Sequence, residues 1–374
     1  MSMNLKASFV DYLIQKYPQF NLDLLQPLIS ENLLSPFQIS LTTEIMDSIK
    51  SEIKKYWKLR EWGVKNLGTR YDEMGLRRPT NYAACMSYDF HLSSENQLEL
   101  IEINTNASFL ALGLELYQFL KLSEVSSNFN EKNIVDMFQV ENRLASQKDL
   151  NLTIIDEHPE RQRLYVEFLI YQSLLRKNNI PCEIADITEI EKIKASTLIY
   201  NRYTDFYLQE PKSAEIKKLF NDSKINLSPN PYEYFLLADK ERFIDWSAQT
   251  EVEKPLSLLP TYDLGVEDKE KIWSERKQLF FKPKNAFGGK QTYRGASISR
   301  KVFESVTNSN FIAQRISPPS EIIVPHNNEK VNFKYDLRCY AYQDQLQLVV
   351  ARLYQGQTTN LRTEGGGFAA IVLK

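Results

Sequence analysis

Three cysteines, three histidines and twelve glycines are few for a chain of 374 residues, and each shortage closes off a chemistry. Cys85, Cys182 and Cys339 lie far apart, are odd in number and form no CxxC, which excludes a disulfide framework and a zinc ribbon. His91, His158 and His326 are equally scattered, so a His-rich transition-metal site is not expected. No apolar run reaches the ~18 residues of a membrane span, and the N-terminus has no long apolar stretch of the secretory kind. Charge of one sign is missing too. Lys and Arg number 46 against 48 Asp and Glu, a net −2, so no global positive field attracts nucleic acid or anionic lipid. The expectation is a reduced, cytoplasmic, soluble protein with neither a nucleic-acid nor a membrane partner. Its oligomeric state is not legible.

What is present is an ordinary globular mixture, 43% hydrophobic and 25% charged, long enough for ~2–3 structural units. The first 84 residues read as helical: Ile45, Ile49, Ile53 and Trp57 recur every fourth position behind the capping pair Thr42-Thr43. Residues 85–105 change to two strand-like runs around Ser94-Glu95-Asn96-Gln97, a β-hairpin, and Asn106-Ala107-Ser108 then opens a helical pattern. From residue 151 a short apolar strand, an amphipathic helix and a second strand repeat as βαβ, without GxGxxG after the first strand. SPNPYEYF at 228–235 is a loop leading to a long strand-rich C-terminal region.

Four constellations can carry chemistry. A two-residue hairpin loop at Glu95-Asn96 sets Asp89 opposite Glu102, with Asn104 on the same face. Two carboxylates and an amide oxygen there make an oxygen-only ligand set suited to Mg²⁺, unless Asp89 or Glu102 simply faces solvent or the loop length differs. Phe281-Lys282-Pro283-Lys284 ends a strand before Gly288-Gly289, where lysines and bare backbone can approach phosphate, a basic turn being the alternative. Asp336, Arg338 and Tyr340 share a strand face. With a three-residue turn at Gln343-Asp344-Gln345, Asp336 falls opposite Arg352, where a structural ion pair is the alternative to a functional role, and Arg338 is left free for an anion. Finally, Arg362 and the run Gly365-Gly366-Gly367 suggest a mobile lid, with a plain hairpin loop as the alternative.

In this order the four resemble the ATP-grasp superfamily, over roughly residues 85–120 and 236–374 and weakly over the βαβ unit between. The order is similar to that of the circularly permuted members, eukaryotic glutathione synthetase and glutathionylspermidine synthetase, whose metal-binding ExN strand precedes the lysine strand. Glu102-Ile103-Asn104-Thr105 with Ala107-Ser108 is similar to the EINTxxAS run of the former, and Asp89-Phe90 to the DF step of the latter. Ala238-Asp239-Lys240 resembles the first nucleotide lysine and Phe281-Lys282-Pro283 the second. FIAQRI at 311–316 resembles the hinge strand whose backbone meets adenine, and Leu361-Arg362-Thr363 with residues 365–370 resembles the substrate-side arginine and glycine lid. Two positions depart. Ser87 stands where glutathionylspermidine synthetase has a phosphate-binding arginine, and Ala286 where glutathione synthetase has a metal-ligating glutamate.

The resemblance implies an α+β chain: an ATP-grasp fold with a Rossmann-like α/β substrate subdomain. Its divisions would be a helical region 1–84, a metal hairpin with following helices 85–150, the substrate subdomain 151–235 and the nucleotide region with its lid 236–374. It further implies ATP and Mg²⁺ as cofactors and ligation of a small-molecule carboxylate to an amine through an acylphosphate. The implied metal ligands are Asp89, Glu102 and Asn104. The nucleotide would meet Lys240, Lys282, Gly288, Gly289, Gln314, Arg315 and Ile316. Arg338 would face the transferring phosphate, and Arg362 the substrate carboxylate or the acylphosphate. Arg202 is a further substrate-side candidate, with a surface pair to Asp205 as its alternative. A non-catalytic ATP-binding module is the rival from another class, kept open by Ser87, and an NAD-dependent enzyme lacks its glycine motif.

Overall fold

The computed structural model describes residues 5–122, 128–146, 148–284, 292–308, 310–326, 329–357 and 359–374. Its strands, in chain order, are β1 (Ile39–Leu41), β2 (Met86–Leu92), β3 (Leu98–Asn104), β4 (Leu152–Asp156), β5 (Cys182–Asp186), β6 (Leu198–Asn201), β7 (Leu227–Ser228), β8 (Thr261–Asp263), β9 (Leu279–Pro283), β10 (Tyr293–Arg294), β11 (Phe311–Arg315), β12 (Ser320–His326), β13 (Glu329–Tyr342), β14 (Gln345–Tyr354) and β15 (Gly367–Leu373). They form three sheets. The largest runs β1-β15-β14-β13-β2-β3, with β12 on the other half of the long β13. A small antiparallel sheet runs β10-β9-β11-β8, and a parallel one runs β5-β4-β6-β7. Parallel neighbours need helical crossovers. The helices Tyr165–Lys177 and Ile190–Lys194 lie between the strands of that third sheet. Among the described residues no helix is long and apolar enough to cross a membrane.

The largest sheet is covered on one face by the helix Thr43–Asn66, which starts where Thr42 Oγ1 accepts the Ile45 N–H at 3.4 Å. Met46, Ile49, Ile53 and Tyr56 are buried on that helix, spaced three or four apart as one stripe requires. They pack on Tyr88, Phe90, Leu337, Cys339, Val349 and Ala351, the alternate residues of β2, β13 and β14. Each such side chain removed from water contributes about 1.5–3 kcal/mol. The opposite face buries Tyr340, Leu348 and Val350 against the helix Leu110–Phe119. Further along that face the helix ends, and charged residues take the alternate positions.

The region before residue 85, expected to be helical, also contains a strand: β1 lies parallel to the last strand, β15, from Ile39↔Ile371 to Leu41↔Leu373. The β2–β3 hairpin puts Asp89 opposite Glu102, by a different route from a two-residue loop. The Ser93 N–H donates to the Gln97 carbonyl at 2.9 Å, and the register shifts between Asp89 and Phe90, so a bulge restores the pairing that the longer loop would have displaced.

The glycine run before β15 is seated rather than loose. Ser35 Oγ donates to the Gly365 carbonyl at 2.8 Å, and the Phe368 N–H donates to the Leu33 carbonyl at 2.9 Å. Gly367 has φ +103°, and a Cβ there would stand 2.5 Å from the Asn32 carbonyl oxygen. Close approach of two backbones therefore accounts for the glycine at 367, where a mobile lid was expected. Thr358, the first residue of the expected lid, lies outside the described residues. Gly367→Ala is expected to lower the urea midpoint more than Gly356→Ala does. The two share φ +103°, and nothing lies within 4 Å of a Cβ at Gly356. Left-handed strain costs both variants roughly 1–2 kcal/mol; only Gly367 adds a collision. Equal midpoints would remove close packing as the reason for the run.

Candidate active site

The charged stretch of the large sheet is built by alternation. Asp89 on β2 pairs in register with Arg338 on β13, and Asp336 on β13 with Arg352 on β14, so all four side chains share one face. Asp89 is their hub and is 0% exposed. Its Oδ1 accepts from Arg338 Nε at 3.0 Å and from Ser87 Oγ at 3.1 Å. Its Oδ2 accepts from Arg338 Nη2 at 2.7 Å, Arg352 Nη2 at 2.9 Å and Asn104 Nδ2 at 3.1 Å. Asp336 in turn accepts from Arg352 Nε at 2.7 Å and Nη2 at 2.9 Å, and from Thr359 Oγ1 at 2.7 Å. Burial pushes the Asp89 carboxyl up, and Arg338 and Arg352 more than reverse it, holding it below its ordinary range.

Two expectations change here. Arg338 is not free: its fork holds Asp89. Asp89 is not an open metal ligand, because donors already occupy both its oxygens. The feared repulsion between Asp89 and Glu102 is absorbed by the two guanidiniums. Among the described residues no group of three or more His, Cys, Asp and Glu could hold a metal ion. Glu102 and Asn104 remain. Asn104 Nδ2 donates to Glu102 Oε1 at 3.3 Å, which leaves the Asn104 amide oxygen and the Glu102 carboxylate for a cation. One carboxylate and one amide oxygen fit Mg²⁺, which usually takes few protein ligands and completes its shell with phosphate and water.

The small sheet brings the lysines. Lys282 Nζ on β9 donates to Gln314 Oε1 on β11 at 2.7 Å and to the Ile101 carbonyl on β3 at 3.2 Å, bridging the two sheets. Burial pushes its ammonium down to about 8, opposed by Glu102 and reinforced by Lys240. Lys240 follows a π-turn at Tyr234–Ala238, is buried, and its N–H donates to the Lys284 carbonyl at 3.2 Å. Its neighbour Glu241 accepts from Lys284 Nζ at 2.7 Å, which ties the end of β9 to the same turn. The expected backbone reading of adenine at residues 314–316 is not open at two of its N–H groups. β11 lies between β9 and β8, and the Arg315 and Ile316 N–H groups already donate to the Pro260 and Gln278 carbonyls.

Between the hairpin and the parallel sheet lies a polar cavity of about 390 Å³. It is lined by Glu102, Asn104, residues 105–108, Lys240 and Arg338, together with Asp156, Glu157, Gln162, Arg202 and Tyr203. Arg202 Nη1 donates to the Asn106 carbonyl, and its ring neighbours are Tyr200 and Phe168. The alternative pair with Asp205 does not form; Asp205 accepts the backbone N–H groups of Gln209 and Glu210 at 2.9 and 2.7 Å. Burial raises the Asp156 carboxyl to about 6 against the pull of Arg202. Asp156, Glu157 and Gln162 went unread in the sequence. The signal was there: they stand at the carboxyl end of β4, where open parallel sheets bind ligands.

The other candidates divide. Gly288, Gly289 and Ala286 lie outside the described residues. Arg362 is exposed and does not line the cavity, and the loop that carries it is held by Thr359 on Asp336 and by Asn360 Nδ2 on the Gln355 carbonyl at 2.9 Å.

Neither a family model nor a curated protein sequence matches the chain. Solved structures do. A glutathione synthetase-like effector from Globodera pallida, in its apo form, superposes with TM-score 0.57 at 10% identity, over 91% of this chain and 90% of that one. A protein provisionally named gamma-glutamylcysteine synthetase, from Methylobacillus flagellatus KT, gives TM-score 0.44 at 11% identity over 86% of each chain. The ATP-grasp ligase PsnB, complexed with precursor peptide PsnA2 and AMPPNP, gives 0.29 at 10% identity over 60% of this chain and 88% of that one. At those two scores the last pair adds no weight. The first speaks to architecture alone: the chain shares the fold of that glutathione synthetase-like effector.

The depressed Lys282 ammonium has a signed consequence. An unfolded lysine titrates at 10.5 and the folded one at about 8, so between these values the unfolded chain holds more protons. Stability contributed by Lys282 must then rise with pH across that window and be flat below it. Relative to Lys282→Met, the wild type is expected to gain roughly 1–3 kcal/mol between the two values, read by urea unfolding at each pH. A difference that is constant with pH would mean Lys282 is not buried as a cation.

Proposed function

We propose, with the ATP-grasp fold as premise, that this chain is an ATP- and Mg²⁺-dependent ligase that joins a small carboxylate to an amine. The observation that carries the reading is one polar cavity lined both by Glu102, Asn104, Lys240 and Arg338 and by Arg202 and Asp156. The first group suits a nucleotide's phosphates. The second suits a zwitterion, with Arg202 for a carboxylate and Asp156 or Glu157 for an ammonium, so an amino acid or short peptide is the acid we favour.

In the reaction a carboxylate oxygen attacks the γ-phosphorus of ATP, giving an acylphosphate and ADP. The amine nitrogen then attacks the acyl carbon, a C–N bond forms, the C–O bond to phosphate breaks, and phosphate and a proton leave. Positioning and charge do the catalysis. Lys240 and Lys282 would hold nucleotide phosphates, Arg338 would meet the transferring phosphoryl group, and the wall at residues 105–108 with Arg202 would orient the acid. A cation on Glu102 and Asn104 would supply charge against the triphosphate. No protein nucleophile is required. Cys85, Cys182 and Cys339 are all buried, and burial pushes the Cys85 thiol up to about 12. One observation favours the second reading, a non-catalytic nucleotide-binding module: Arg338 already holds Asp89, and Ser87 is too short to replace it.

ADP release with mixed amino acids and amines separates the two readings, since turnover that depends on both supports the ligase and binding without turnover supports the module. Within either reading, Lys282→Ala is expected to weaken AMPPNP at fixed Mg²⁺ by at least about tenfold, roughly 1.4 kcal/mol, in calorimetry. Lys277→Ala, exposed in the turn before β9, is expected to leave it unchanged. Equal affinities would take Lys282 out of the site.

A further inference from the structure

Resting on the reading above, we infer that the site takes a single divalent cation, on Glu102 and Asn104, and that Asp89 is a positioning residue that fixes Arg338 at the cavity wall. The donor count is decisive. An ionised carboxylate offers about four lone-pair sites. Asp89 already meets five donor atoms, from Ser87, Asn104, Arg338 twice and Arg352. A cation reaching Asp89 would have to displace guanidiniums whose side chains are only 9% and 13% exposed. Arg352 cannot turn aside, because Asp336 grips its Nε and Nη2. Without Asp89, this part of the chain offers a cation one carboxylate and one amide oxygen.

The same geometry says what Asp89 does. It takes Nε and Nη2 of Arg338, the bidentate edge of a planar fork, and so sets the plane of the guanidinium. Nη1 makes no hydrogen bond among the described residues, and Arg338 lines the cavity beside Glu102 and Asn104. Two arginines and two aspartates sum to no net charge, so this ladder does not attract a triphosphate by field alone. It presents a pre-oriented N–H, while charge comes from the one cation and from Lys240 and Lys282. Ser87, on the same face, donates to the Asp89 oxygen that also takes Arg338 Nε.

The test counts ions rather than turnover. Full-length protein is titrated with Mn²⁺ and AMPPNP, and bound Mn²⁺ per bound nucleotide is read by electron paramagnetic resonance with calorimetry. One ion is expected; two would overturn the inference while leaving the nucleotide reading intact. Failure of AMPPNP to bind at any Mn²⁺ concentration would overturn both. Asp89→Asn is expected to keep the count at one and to weaken AMPPNP by about tenfold. That loss is expected to vanish in an Arg338→Ala background, as an effect acting through Arg338 must. Loss of the ion in Asp89→Asn, or a full loss of affinity persisting in the Arg338→Ala background, would overturn the positioning role. Should Asp89→Asn fail to fold, Arg338→Lys, which keeps the charge but not the fork that Asp89 orients, is expected to weaken AMPPNP by about tenfold, and an unchanged affinity would overturn the positioning role.

Discussion

A carboxylate with no solvent exposure, gripped by two arginines from two neighbouring strands, is the constraint around which this site is organised. Burying ions is expensive, and each guanidinium and carboxylate taken from water costs several kcal/mol before their attraction returns it. The Asp89–Arg338–Arg352–Asp336 ladder meets that cost with bidentate geometry at two carboxylates, on the stretch of the sheet face beyond the helix Leu110–Phe119. The pairing registers of β2, β13 and β14 make it possible, since a slip of one residue would turn all four side chains into the apolar core on the other face. Register, charge and the geometry of the candidate site are thus a single requirement.

Around that ladder the three sheets divide the labour. The large sheet offers Glu102, Asn104 and Arg338, the small sheet reaches across with Lys282, and the parallel sheet closes the cavity with Asp156 and Arg202 at its strand ends. The N-terminal segment has a part in this as well. It seats the glycine run on Leu33 and Ser35, and Phe368, the next residue, stacks on Phe109 with ring centroids 3.6 Å apart. Phe109 itself sits at φ +81° directly after the cavity wall, its N–H held by Glu167 Oε2 at 2.8 Å. A conformation that rare for a bulky residue persists only when its surroundings impose it.

Much of this was legible beforehand because it rests on local spacing. The hairpin, the Asp89–Glu102 opposition, the Asp336–Arg352 pair and the βαβ unit all follow from strand alternation and turn residues, which a single sequence displays. Both hairpin turns differ in length from the expected ones and neither register does, because a bulge in each, at Asp89/Phe90 and at Tyr340/Ala341, cancels the difference. What escaped was set by contacts across the chain. Nothing near Asp89 announces an arginine 249 positions later, and nothing near Gly367 announces the carbonyl of Asn32. The glycines looked like mobility when they mark close packing, and Arg338 looked available because its partner lies on a strand from the other end of the sequence. Asp156 and Gln162 were missed for a different reason: their position at a strand end carried the signal, and their residue types did not.

Whether this cavity activates a carboxylate with ATP, as proposed, is decided by isotope transfer. The protein is incubated with ATP, Mg²⁺, a pool of amino acids and short peptides ¹⁸O-labelled in their carboxylates, and a mixture of amines, and the released phosphate is examined by mass spectrometry. Attack of a carboxylate oxygen on the γ-phosphorus predicts ¹⁸O in inorganic phosphate, in step with ADP. Phosphate that accumulates without ¹⁸O would mean that water, not a carboxylate, receives the phosphoryl group, and would contradict the ligase reading.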